Sequence, residues 1–272
     1  MLPVPGAQVG LDVSHWQGLI DWNAVANATT PYGPIEWVYV KASEGRTVQD
    51  PRYLENIKGA SAAGLKVGAY HFAWPNKPSS ADVGNFIAQL ELGRDYLTLP
   101  PLLDLEKPPA GPVQPGVSLR QWVNDFSGSL LAAGYRKPLL YVGTNYSNKF
   151  LDGQAIDLDV WIPQWNRGPL SYTGDEGGPK WLNDTTRNWK VWQFTNRGRI
   201  PGIKSHVDVN ASRWPMTEFQ KGQATRLVDI WALGPGLVYV GFQQRRPGFQ
   251  MFLIGAGLAT IVYNARNYLL NK

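Results

Sequence analysis

Asp12, Asp104, Glu106 and Asp208 stand at or near the ends of short apolar runs, and Glu44 closely follows another. A carboxylate in a segment of buried-strand character is costly unless it is paired or serves a site. Asp104 and Glu106 are two residues apart in LPPLLDLE (99–106). On a strand that spacing puts both on one face, with Cα atoms about 6–7 Å apart. Two carboxylates so related suit glycoside cleavage: one is held protonated to donate to the leaving oxygen, and the other stays ionised to stabilise the charge developing on the sugar. Mutual repulsion and partial burial would raise one pKa, and hydrogen bonding would keep the other low. Two-metal hydrolysis is the rival use of such a cluster. The only imidazoles are His15, His71 and His206, and none stands in an HExxH pattern. No metal and no cofactor is expected.

Aromatic side chains accompany the acids. Sugar rings offer apolar C–H faces that pack on flat aromatic faces. Tyr70, Tyr141, Trp165 and Trp192 are expected to line the same mouth, with Glu44 as a further substrate-binding residue. Ser14 and Ser43 lie at strand ends, but neither sits in the G-x-S-x-G elbow of a serine hydrolase.

For sequence-distant acids to meet, the elements bearing them must converge. Eight β-type runs recur over residues 1–210: 9–13, 36–41, 66–72, 100–106, 138–143, 159–165, 190–194 and 206–210. Most are nearly continuously apolar, the signature of strands buried on both faces of a parallel sheet. Helical stretches at 51–63, 79–92 and 119–133 separate the earlier runs, with Gly64 and Gly134 as stops. Residues 166–189 and 195–205 read as loops. The pattern predicts an α/β fold, an irregular TIM-like (β/α)8 barrel whose C-terminal strand ends gather the acids at one mouth. An open doubly wound sheet is the alternative, but no GxGxxG or P-loop marks a phosphate crevice.

The 272 residues allow one full core plus a tail, and a 43% hydrophobic content excludes a disordered chain. With no Cys, disulfides, thiolate catalysis and iron–sulfur clusters are excluded. Residues 1–219 carry 20 Lys and Arg against 20 Asp and Glu, so the net charge of +5 lies in residues 220–272, where six cations face Asp229 alone. A nucleic-acid role for the main domain loses its electrostatic support.

In order along the chain, GLDVSHWQG (10–18), VYVKASEG (38–45), AAGLKVGAYHF (62–72), LPPLLDLE (99–106), LYVGTNY (140–146), VWIPQW (160–165), VWQFT (191–195) and HVDVN (206–210) resemble the glycoside hydrolase family 25, or Chalaropsis-type, lysozymes. The resemblance covers about residues 8–215. It implies eight strands with fewer than eight helices. It also implies hydrolysis of the β-1,4 bond between N-acetylmuramic acid and N-acetylglucosamine in bacterial peptidoglycan. Position by position, Glu106 matches the general acid, and Asp104 matches the carboxylate that stabilises an oxazolinium formed by the substrate's N-acetyl group. Asp12 and Asp208 match the flanking acids. A glycosidase acting on another N-acetylated polysaccharide, and a structural virion or membrane protein with a silent lysozyme domain, are the competing readings.

The resemblance leaves out residues 220–272, set apart as a basic tail behind a catalytic barrel of residues 1–219. Within the tail, the uncharged stretch 247–265 has the length of a membrane-associated helix, with Arg245, Arg246 and Arg266 flanking it. MLPVPGAQVG lacks the charged and apolar regions of a secretory signal peptide. Together these features suggest a bacteriophage lysin, either an endolysin or a virion-associated enzyme, with a membrane or virion partner engaged through the tail.

Overall fold

The computed structural model describes residues 7–106, 117–151, 157–165, 189–212, 234–243 and most of 251–262. The chain divides into two compact units, Met1–Met216 and Thr217–Lys272.

In the first unit the strands are β1 (Gln8–Val13), β2 (Ile35–Glu44), β3 (Val48–Gln49), β4 (Lys66–Phe72), β5 (Leu102–Asp104), β6 (Leu139–Tyr141), β7 (Val160–Pro163), β8 (Trp189–Gly198) and β9 (Val207–Ser212). The helices are α1 (Trp22–Ala26), α2 (Tyr53–Ala62), α3 (Ser79–Gly93), α4 (Leu119–Ala132) and α5 (Thr144–Phe150). The sheet runs β1-β9-β8-β7-β6-β5-β4-β2 and closes through β1–β2, while β3 folds back on β2 as a short hairpin outside the ring. The eight runs read from the sequence are therefore the eight staves of a closed barrel.

Two expectations are corrected here. The barrel is not wholly parallel: β9 pairs antiparallel with both β8 and β1. Residues 195–205 are not all loop, because β8 continues to Gly198. Of the expected loop 166–189, residues 166–188 lie outside the described residues, as do 107–116.

The helices follow their sequence signals. Ser118 caps α4 by accepting from the Gln121 amide at 3.1 Å, and Leu119, Trp122, Val123, Phe126 and Leu130 form its buried stripe. Gly64 and Gly134 take φ of 84° and 83° just past α2 and α4. That left-handed turn lets the Leu65 and Tyr135 amides reach back to the Ala60 and Leu130 carbonyls.

Strand alternation sorts the side chains. Val9, Leu11 and Val13 of β1, Val38 and Val40 of β2, and Val207, Val209 and Ala211 of β9 belong to the core between barrel and helices. The alternate residues fill the interior. There Trp37, Tyr39 and Trp161 meet edge to face, with centroids 5.1–6.0 Å apart. Two glycines make the space: a Cβ on Gly10 would lie 2.0 Å from the Trp37 ring, and one on Gly68 would lie 2.4 Å from Tyr39. This aromatic plug is the floor on which the polar mouth is built.

In the second unit, helix α6 spans Gly234–Gln243, and the described positions between 251 and 262 are helical. Among the described residues no helix is long and apolar enough to cross a membrane. The expected helix 247–265 is therefore not met as a membrane span; its ends, 247–250 and 263–265, lie outside the described residues.

Candidate active site

Asp12 is the penultimate residue of β1, Asp104 the last of β5, and Glu106 lies two residues beyond. Each follows the inward parity of its strand. Asp208 reaches the same mouth by a route the sequence did not suggest. Because β9 runs backwards, the mouth lies at its start, and Asp208, its second residue, pairs in register with Asp12. All four acids line one cavity of about 400 Å³, together with Tyr70, Tyr141, Trp165, Lys41 and Gln193. Among the described residues no cluster of His, Asp or Glu is arranged to hold a metal ion.

Hydrogen bonds fix the charge pattern. The indole of Trp161 donates to Asn210 Oδ1 at 3.0 Å. The Tyr141 hydroxyl and the Trp165 indole donate to Gln193 Oε1 at 3.1 and 3.0 Å. An indole N–H can only donate, so both amides must turn their oxygens to these rings and their NH2 groups elsewhere. Both NH2 groups meet Asp12: Asn210 Nδ2 donates to Oδ2 at 2.8 Å, and Gln193 Nε2 donates to Oδ2 and Oδ1 at 3.1 and 3.3 Å. Asp12 is thereby built to be the acceptor.

The remaining acids hold protons more tightly than usual. Burial, then the charge of Asp12 and a hydrogen bond to it, push Asp208 up to about 8. At neutral pH Asp208 is thus the donor and Asp12 the acceptor in the bond they share. Burial lifts Asp12 as well, while the donors from Asn210, Gln193 and Asp208 pull it back. Burial, followed by Asp12, raises Glu106, and Lys41 acts in the opposite direction. Asp104 lies well above the usual carboxylate range through burial, then Glu106 and Asp12. Its Oδ1 is buried with no hydrogen-bond partner among the described residues. The expectation of one raised and one lowered member in the Asp104–Glu106 pair is corrected: both are raised, and the hydrogen bonds that favour a charged carboxylate gather instead on Asp12, itself raised by burial.

The expected binding residues divide. Tyr70, Tyr141 and Trp165 line the cavity, the last half exposed. Trp192 does not: it packs in the core between barrel and helices, its indole donating to the Gln164 carbonyl. It is the neighbour of Gln193, and adjacent strand residues face opposite sides. Glu44 is not on the cavity wall either. Its Oε2 accepts from Lys41 Nζ at 2.6 Å and its Oε1 from the Trp74 indole at 3.0 Å. It bears on the site through Lys41, which does line the cavity. Gln193, Asn210 and Lys41 were missed, although each is a polar residue inside an otherwise apolar run.

The arrangement can protonate a glycosidic oxygen from Glu106, which stands exposed at the rim, beside acids whose charge state is fixed by neighbours. Comparison with known proteins agrees. The model of glycosyl hydrolases family 25 matches residues 11–203. Lysozyme M1 of Streptomyces globisporus is 34% identical over 209 residues, 74% of this chain and 66% of that protein. The crystal structure of a bacterial lysozyme from Streptomyces coelicolor superposes with a TM-score of 0.61 at 28% identity, covering 79% of this chain and 96% of that one. The catalytic domain of endolysin ply40 from bacteriophage P40 of Listeria monocytogenes shares the fold, with a TM-score of 0.62 at 20% identity over 80% of this chain and 98% of that one. Four acids at one barrel mouth and a family match running from β1 to the approach to β9 lead to one conclusion: the chain belongs to glycosyl hydrolases family 25.

Proposed function

We propose that the protein is an N-acetylmuramidase that hydrolyses the β-1,4 bond between N-acetylmuramic acid and N-acetylglucosamine in bacterial peptidoglycan. The observation that carries this reading is the convergence of Asp12, Asp104, Glu106 and Asp208 on one open, aromatic-lined cavity. The lysozyme relatives support the substrate class.

Glu106, whose hold on its proton is strengthened by burial and then by Asp12, gives that proton to the glycosidic oxygen as the C1–O bond breaks. The carbonyl oxygen of the substrate's own acetamido group bonds to C1, forming an oxazolinium. Asp104, with Oδ1 unengaged, accepts the acetamido N–H and so orients the acetamido group toward C1. Glu106, now a carboxylate, takes a proton from water, whose oxygen attacks C1 and reopens the ring with retained configuration. Burial and then the charge of Asp12, which Asp208 holds by a hydrogen bond, favour the protonated form of Glu106 beforehand.

A bacterial cell-wall zymogram tests the activity, with Glu106→Gln as the control. The wild-type chain clears the wall; the variant loses activity by about 10²–10⁴-fold with an unchanged circular dichroism spectrum. Clearing by the variant at near wild-type rate overturns the assignment.

For delivery, the reading is a bacteriophage lysin whose basic segment 220–272 attaches it to an anionic surface, a membrane or a virion partner. Its support is the excess of six Lys and Arg over one Asp in that segment. Co-sedimentation of the full chain and of residues 1–219 with anionic vesicles tests it: the full chain alone pellets, and salt releases it. Equal partition of both overturns it.

A further inference from the structure

We propose that Trp16 forms an additional sugar-binding subsite, a stacking platform for an N-acetylhexosamine ring of the glycan strand beyond those held at the acids. The proposal rests on the muramidase reading above and extends it. Trp16 is 76% exposed in a domain that buries Trp37, Trp122 and Trp161 almost completely. Leaving an indole in water forgoes the stabilisation that its burial would bring. It lines the same cavity as the four acids, so the exposed ring is part of the cleft.

The ring is also held in place. Trp16 sits in a 3-10 turn, His15–Gln17, closed by a reciprocal pair of caps: Ser14 Oγ accepts from the Trp16 amide at 3.3 Å, and Gln17 Oε1 accepts from the Ser14 amide at 2.8 Å. Gln17 Nε2 ties the turn to the His206 carbonyl, two residues before Asp208. The His15 ring lies 4.6 Å from the indole, tilted by 36°. His15 is in turn anchored twice to Asp50 Oδ2, through its amide at 3.0 Å and its Nδ1 at 2.7 Å, and the Asp50 side chain is fully buried. An indole buttressed on one side by a fixed imidazole and otherwise open is pre-organised to receive a flat apolar face without losing side-chain freedom. A pyranose presents such a face through its axial C–H groups. Trp165, the second exposed indole of the cavity, stands three strands away around the barrel, so the cleft has a platform on two sides.

The test uses the full chain and its Trp16→Ala and Trp16→Phe variants, with purified cell walls and with soluble muropeptide glycans of two and six sugar units. Trp16→Ala is expected to raise KM for the six-unit glycan about tenfold, a single stacked ring's contribution, with kcat within twofold and no change on the two-unit glycan. Trp16→Phe restores most of the affinity, which a merely structural role in the turn would not require. An unchanged KM on the six-unit glycan, or a loss of kcat shared by both lengths, overturns the subsite. Should the wild-type chain cleave no wall, the muramidase reading fails separately. Calorimetric titration of Glu106→Gln with and without Trp16→Ala, using the N-acetylglucosamine hexamer, then decides. Tenfold weaker binding without the indole supports the platform; equal binding, or none to either chain, overturns it.

Discussion

Asp12 and Asp208 face each other across the antiparallel β1–β9 ladder and share one hydrogen bond, in which Asp208 keeps the proton. Asp12 can bear charge because Gln193 and Asn210 are compelled to donate to it by the rings behind them. That charge then raises Glu106 and Asp104. The proton affinity of Glu106 is thus governed by burial first and then by a charge that residues outside the Asp104–Glu106 pair hold in place.

Asp208→Asn is expected to stabilise the fold while impairing turnover. The folded pKa of about 8 lies above the ordinary 3.8, so the native state favours the protonated form. The associated stability is fully present below about pH 4 and is lost as pH rises toward 8. Urea denaturation across this range should show wild-type stability falling with pH and a flatter profile for the variant. The gain at pH 8 should be about 1–2 kcal/mol.

Gln193→Ala removes two bonds to Asp12 and the shared acceptor of Tyr141 and Trp165. A carboxylate that loses donors to its charged form binds protons more readily, so Asp12 should titrate at higher pH. The acid limb of the kcat/KM–pH profile should move up, with turnover reduced about 10–100-fold. An unmoved limb would show that Gln193 serves packing alone.

Lys41→Met tests the opposing charge. Lys41 is what lowers Asp104 and Glu106 against the pull of their neighbours. Without it, Glu106 retains its proton to higher pH, and the basic limb of the rate profile should shift upward. Glu44→Gln, which weakens the carboxylate's hold on Lys41 Nζ, should shift the same limb by less.

Gly10→Ala probes the floor of the site. The new Cβ would fall 2.0 Å from the Trp37 ring, within a packed interior that has no slack. A loss of at least about 1–3 kcal/mol is expected, read as a lowered melting temperature, with activity falling in parallel.

The barrel was legible because strands buried on both faces read as continuous apolar runs, and the acids stood out because charge inside such runs is expensive. The reversal of β9 was not legible: a five-residue run such as HVDVN carries no mark of direction. Expecting Asp208 at a strand's end was therefore mistaken in detail, yet the reversed strand delivers it to the same rim. Trp192 was misassigned because aromatic character alone does not say which face a residue takes, whereas its adjacency to Gln193 does. Gln193 and Asn210 escaped notice because a neutral amide costs less to bury than a charge. Their signal was subtler: one amide each within VWQFT and HVDVN.

The closing ladder between the first and last staves has a consequence for biosynthesis. A chain emerging amino end first presents Asp12, Asp104 and Glu106 long before Asp208 and Asn210 exist. Until β9 zips between β1 and β8, Asp12 lacks both its proton-bearing companion and one of its amide donors, and β1 remains an open edge. Nascent or carboxy-trimmed polypeptides ending before Ser212 are for that reason expected to be inert, with hydrolytic competence gained only when the ring is sealed.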